Sequence, residues 1–122
     1  MNEQAMPAVT LNVADMLDND LCISSEDGQT LFEAISSLIG ENKQVIVSFE
    51  GVSMLISLFL NAAIGQLYGQ FTENEVRRHL VVEGLAADDM ELLRGVVENA
   101  KKYYSRPMEY DKAWTVEGDD EE

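Results

Sequence analysis

The run Gln44-Val45-Ile46-Val47-Ser48-Phe49 constrains the fold more than any other stretch of this chain. Its β-branched and apolar residues occupy successive positions and do not alternate with polar ones. A strand with one wet face alternates, whereas a strand buried on both faces reads as a continuous apolar run. The run therefore predicts a central strand covered on both faces. Helical periodicity lies on either side of it. Leu31, Ile35, Leu38 and Ile39 recur at helical spacing before it, and Leu60, Ile64, Leu67, Tyr68 and Phe71 do so after it. Strands alternating with helices point to an α/β domain with a mostly parallel sheet.

The remaining elements follow from local signals. Ala8-Val9-Thr10-Leu11-Asn12-Val13 alternates and reads as a half-buried strand. Asp18-Asn19-Asp20 marks a turn, and Leu21-Cys22-Ile23 reads as a short second strand, a hairpin partner for the first. Ser24 with Asp27 three residues on is a helix start, and Gly40 a natural stop, giving a helix over 26–40. Glu50-Gly51-Val52-Ser53 is a loop before a second helix over 57–71, in which Ala62, Ala63 and Gly65 would allow close packing against a sheet. Thr72-Glu73-Asn74-Glu75 reads as polar linker, and His79-Leu80-Val81-Val82-Glu83 as a fourth strand. Asp88 as N-cap with Glu91 opens a third helix, whose core face is Met90, Leu93, Val96, Val97, Ala100 and Tyr104. Lys101 and Lys102 suit its last turn, and Pro107 forbids its continuation. The expected architecture is β-β-α-β-α-β-α with a four-stranded mixed sheet covered by helices. It occupies residues 1–107, followed by an acidic, partly disordered tail over 108–122 against which Trp114 and Val116 are exceptions that pack back.

Composition narrows the function classes. With 46% hydrophobic residues in 122, the chain can build one core. No apolar run approaches the roughly 18 residues of a membrane span. The polar start Met1-Asn2-Glu3-Gln4 lacks the features of a secretory signal, so a cytoplasmic location is expected. The net charge of −15 repels phosphate backbones and anionic lipid, which argues against nucleic-acid and membrane partners. The single cysteine, Cys22, excludes an internal disulfide and a thiolate zinc site, and its apolar neighbours make it a small buried hydrophobe.

A search for chemistry returns little. The lone histidine, His79, stands at a strand start after Arg77-Arg78 and reads as a surface residue. Nothing supports a Cys22–His79 dyad, no serine sits on a G-x-S-x-G elbow, and neither phosphate-loop motif is present. Asp88-Asp89 and Asp119-Asp120 are sequence neighbours, which on a helix diverge by about 100° and do not converge on a metal. No cofactor, metal or enzymatic activity is expected.

One segment is unusual. Loops are commonly polar, yet the stretch after the central strand carries Val52, Met54, Leu55 and Ile56 before Ser57 opens a helix. Either the loop folds inward and closes the core, or it forms an exposed apolar patch that marks a partner site. Val52, Ser53, Met54, Leu55, Ile56 and Asn61 are the candidate partner-binding residues. Self-association through the same surface, as a homodimer, is the alternative use of it. Ser57 is either a helix cap, worth about 1 kcal/mol, or a modification site at a helix start.

A strand ending Val47-Ser48-Phe49-Glu50-Gly51-Val52, a short apolar link and a serine opening a helix together resemble the STAS domain of bacterial anti-sigma-factor antagonists. The stretch Phe59-Leu60-Asn61-Ala62-Ala63-Ile64-Gly65-Gln66-Leu67-Tyr68 is more similar to an uncharacterised bacterial STAS-like family. The resemblance spans about residues 8–105, with its specific part at 45–71. It implies a regulatory protein-interaction module whose partner is a histidine-kinase-type ATPase and whose candidate phosphorylation site is Ser57. The antagonists place an aspartate before that serine and Ser-Gly-Leu in the serine's helix start. Here Ser57 is kept, while Ile56, Leu58 and Phe59 depart from the pattern.

Overall fold

The computed structural model describes residues 6–105. Among the described residues five strands and six helices follow in the order β1 (Ala8–Asn12), α1 (Val13–Leu17), β2 (Leu21–Cys22), α2 (Ser25–Gly40), β3 (Gln44–Ser48), β4 (Met54–Leu55), α3 (Ser57–Leu60), α4 (Leu67–Gln70), α5 (Glu73–His79), β5 (Leu80–Glu83) and α6 (Ala87–Tyr104). A π-helical turn, Asn61–Gly65, joins α3 to α4. The expected tail over 108–122, with Trp114 and Val116, lies outside the described residues.

The α/β class is as expected, but the sheet is not one four-stranded mixed sheet. Three parallel strands run in the order β1-β3-β5, and β2 pairs with β4 as a separate parallel ribbon. The expected β1–β2 hairpin does not form because five of the eight residues between the strands, Val13–Leu17, are helical. Val13, Met16 and Leu17 sit at helical spacing, and the Asn12 side chain caps the turn by accepting from the Asp15 amide at 3.0 Å. Asp18 then takes a left-handed conformation that ends it. The chain thus leaves β1 without turning back on it, and β3 takes the place beside β1.

β3 is central, as its composition predicts, but only one of its faces is covered. Val45 and Val47 are fully buried, in register with Leu80 and Val82 of β5 and with Val9 and Leu11 of β1. On the other face Ile46 is half-buried between exposed Thr10 and Val81. Strand order explains this. Both crossovers advance across the sheet in the same direction, and right-handed crossovers then lay their helices on one face.

The helical layer is tightest where α2 meets the broken helix. Ser24 caps α2 by accepting from the Asp27 amide at 3.0 Å, and Asn42 in a left-handed conformation follows its end. A Cβ on Gly28 would stand 2.6 Å from the Phe59 carbonyl oxygen and 2.7 Å from the Ala62 Cβ. Ala62 and Ala63 therefore allow close packing against a helix, and not against the sheet. The helix expected over 57–71 is broken by the π turn, an insertion that sequence periodicity does not reveal. Thr72 to Glu75 is a capping box that opens α5, with both reciprocal hydrogen bonds formed, and is not a linker. Asp88 lies inside the first turn of α6, whose N-cap position is Ala86.

Candidate partner-binding face

The carboxyl ends of β1 and β3 each lead into one strand of the β2–β4 ribbon. After β3, Gly51 adopts φ +85° in a turn closed by the Val52 amide on the Phe49 carbonyl at 3.0 Å, which redirects the chain toward β2. The ribbon is fastened at its start. The Ser53 amide donates to the Asp20 carbonyl at 2.8 Å, and the Ser53 hydroxyl donates to the Asp20 carboxylate at 2.7 Å. The Ile56 amide donates to the Cys22 carbonyl at 3.2 Å at the other end.

Side chains of a strand alternate between faces, and here both faces are apolar. Cys22 and Leu55, which pair in register, point into the core. Leu21 and Met54, which pair in register, point outward and are exposed, as are Ile23 and Ile56, which directly follow the two strands. Leu58, in the first turn of α3, extends the same surface, with 53% of its area accessible, as is 54% of Met54. The two sequence readings of this loop therefore each hold for half of its residues. Leu55 belongs to the core and Val52 is half-buried against it, while Met54 and Ile56 are free. Ser53 is exposed but committed to Asp20. Leu21, Ile23 and Leu58 are exposed as well, and lie outside the set of partner-binding residues expected from sequence. Leu21-Cys22-Ile23 and Met54-Leu55-Ile56 are each apolar throughout, so the outward and inward positions could not be told apart in sequence.

Ser57 does not cap its helix. The N-cap position belongs to Ile56, whose side chain accepts nothing. Ser57 is exposed, and with Asn61 it lines a shallow groove facing Glu91 and Asn99 of α6.

The groups with potential chemistry are separated. Cys22 is fully buried, and burial first, then Asp27 and Asp20, pushes its thiol up to about 11. His79 is not on the surface: it is 3% exposed, and its Nδ1 lies 2.8 Å from the Lys43 carbonyl, at the end of the sheet where β3 begins. Cys22 lies beyond the opposite end of the strands, so the two cannot act together. Among the described residues no group of three or more His, Cys, Asp or Glu is placed to hold a metal. Among the same residues no helix is long and apolar enough to cross a membrane. A cleft between α5, β5 and α6 has an apolar floor of Ile64, Leu80, Val82 and Leu93 beside the Glu73–Lys101 ion pair. At about 200 Å³ it is smaller than the sites, roughly 300–1,000 Å³, that enclose small molecules.

Residues 27–90, just over half of the chain, match the family model described as a STAS-like domain of unknown function (DUF4325). The chain belongs to this STAS-like family. Its matched segment runs from the first turn of α2 to the first turn of α6, and so contains β4, Ser57 and the broken helix of the STAS-like domain. No curated protein and no solved structure matches the chain.

Proposed function

We propose that this STAS-like domain is a non-enzymatic protein-interaction module that docks a partner on the outer face of the β2–β4 ribbon and the start of α3. The observation that carries this reading is the grouping of exposed apolar residues along one stretch of the fold: Leu21 and Met54 in register on the ribbon, Ile23 and Ile56 directly after its strands, and Leu58 in the first turn of α3. Large apolar side chains scattered singly over a surface need no explanation, but a contiguous set of them marks an interaction site.

Ser57 is the regulatory position in this reading. It is exposed between Ile56 and Leu58 and faces Glu91. A phosphate there would introduce charge into an apolar interface and beside a carboxylate, both of which oppose docking. The likeness of residues 47–52 and Ser57 to the anti-sigma-factor antagonists supports a kinase-type ATPase as the class of partner.

The test is co-purification from the native cell with the wild-type chain, Met54→Asp, Leu58→Asp and Ser57→Glu, each checked for an unchanged unfolding transition. Loss of the same retained protein in all three supports the reading. Retention of an unchanged set by the first two excludes this face, and retention by Ser57→Glu alone excludes the switch. Intact mass of the protein from its own cell reads phosphorylation directly.

A further inference from the structure

The outer face of the ribbon is framed by carboxylates. Asp18 and Asp20 precede Leu21, and Glu26 and Asp27 follow Ile23 in the first turn of α2. Asp20 and Asp27 are near enough to act on Cys22 inside the ribbon. On the side of α3, Glu91 faces Ser57, with Asp88 one turn before it. Neither residues 1–42 nor residues 44–76 contain a lysine or arginine. Lys43, Arg77, Arg78, Lys101 and Lys102 stand where β3 begins and where α5 and α6 end, at the other end of the domain. The remaining described cation, Arg94, is paired with Glu91.

An apolar strip whose border carries a surplus of one sign of charge, uncompensated around β2 and partly offset by Arg94 beside Glu91, selects its occupant by complementarity. Resting on the docking role proposed above, we infer that the ribbon receives a cationic amphipathic protein segment, with an apolar stripe for Leu21, Met54 and Leu58 and flanking lysines or arginines for the acidic border. A second copy of this chain is disfavoured by the same border, because a two-fold contact sets each copy's carboxylates against the other's. The acidic border would also steer a basic partner from a distance, so association slows as salt rises.

The test uses the full chain and a peptide of leucine and lysine, about 14 residues or roughly four helical turns, with its leucines on one helical face. Binding is followed by fluorescence anisotropy. Met54→Ser with Leu58→Ser is expected to weaken binding by about tenfold or more. Two triple variants of equal net charge then locate the electrostatic part. Asp18→Asn with Glu26→Gln and Glu91→Gln is expected to weaken binding severalfold, and Glu33→Gln with Glu41→Gln and Glu98→Gln, away from the ribbon, to leave it unchanged. Equal binding of a leucine–glutamate peptide overturns the cationic occupant and leaves the docking face standing. Binding that ignores the Met54 and Leu58 changes, or responds equally to the two triple variants, is adhesion to an acidic protein and overturns the inference. So does a dimer in sedimentation that Met54→Ser dissociates. Absence of peptide binding also overturns it, while the docking role is judged separately by retention of the native partner.

Discussion

Leu21 and Met54 stand opposite each other in the parallel register of the β2–β4 ribbon, and both side chains leave the core. The next pair, Cys22 and Leu55, enters it. Two neighbouring pairs of apolar residues in one ribbon thus have opposite thermodynamic roles. Met54→Asp or Leu21→Asp is expected to change unfolding free energy by no more than about 0.5 kcal/mol, as surface substitutions do. Leu55→Ala removes a buried side chain and is expected to cost about 2–4 kcal/mol. Urea titration of the three variants checks the alternation. Equal losses at Met54 and Leu55 would show that Met54 is also part of the core.

The contact between Gly28 and Phe59 gives a second prediction. The atom nearest to a Cβ on Gly28 is backbone, the Phe59 carbonyl oxygen at 2.6 Å, so no side-chain rotation relieves the clash. Alanine in a helix gains about 1 kcal/mol over glycine. At this position separation of α2 from the broken helix is expected to outweigh that gain, giving a net loss of about 1–3 kcal/mol. Gly40→Ala serves as the control, since nothing lies within 4 Å of a Cβ there. Thermal unfolding should fall for Gly28→Ala and not for Gly40→Ala.

The buried thiol predicts a pH dependence. Cys22 titrates at about 11 when folded, against 9.0 for the free group. Between these values the unfolded chain releases its proton and the folded chain does not, so raising the pH favours unfolding. Stability is fully present below about pH 9 and declines toward pH 11, by about 2–3 kcal/mol at 1.4 kcal/mol per pH unit. Cys22→Ala should flatten that part of the curve while lowering stability near neutrality. Denaturant midpoints at a series of alkaline pH values compare the two. The same burial should make native Cys22 unreactive toward a thiol reagent at pH 8 until denaturant is added.

These cases show which parts of the molecule were legible in sequence. The α2 helix was legible because Ser24, the 3.6-residue apolar period and the stop near Gly40 agree. The centrality of β3 was legible from its β-branched run, but its open face was not, because coverage depends on the order of crossovers. The β2–β4 ribbon was hidden for a related reason. Two strands of two residues carry no periodicity of their own, and their pairing joins segments 33 positions apart. Two of the five exposed residues of the candidate site, Met54 and Ile56, followed from the unusual apolarity of the loop. Leu21 and Ile23 became part of it only through that long-range pairing.

His79 gives the last prediction, and it corrects the expectation of a surface residue. Its position at the join of α5 and β5 turns the ring inward, while Arg77 and Arg78 stay in solvent. A carbonyl oxygen can only accept, so the 2.8 Å contact with Lys43 requires the proton on Nδ1. This bond ties the end of α5 to the entry of β3. His79→Phe preserves much of the packing but leaves the Lys43 carbonyl without this donor, for an expected cost of about 1–3 kcal/mol. His79→Ala adds a cavity and is expected to cost more. Nitrogen-15 spectra of the ring should show the Nδ1-protonated tautomer in the folded chain and lose that preference on unfolding. An Nε2-protonated ring, or an alanine variant as stable as the wild type, would remove His79 from the structural role assigned by this geometry.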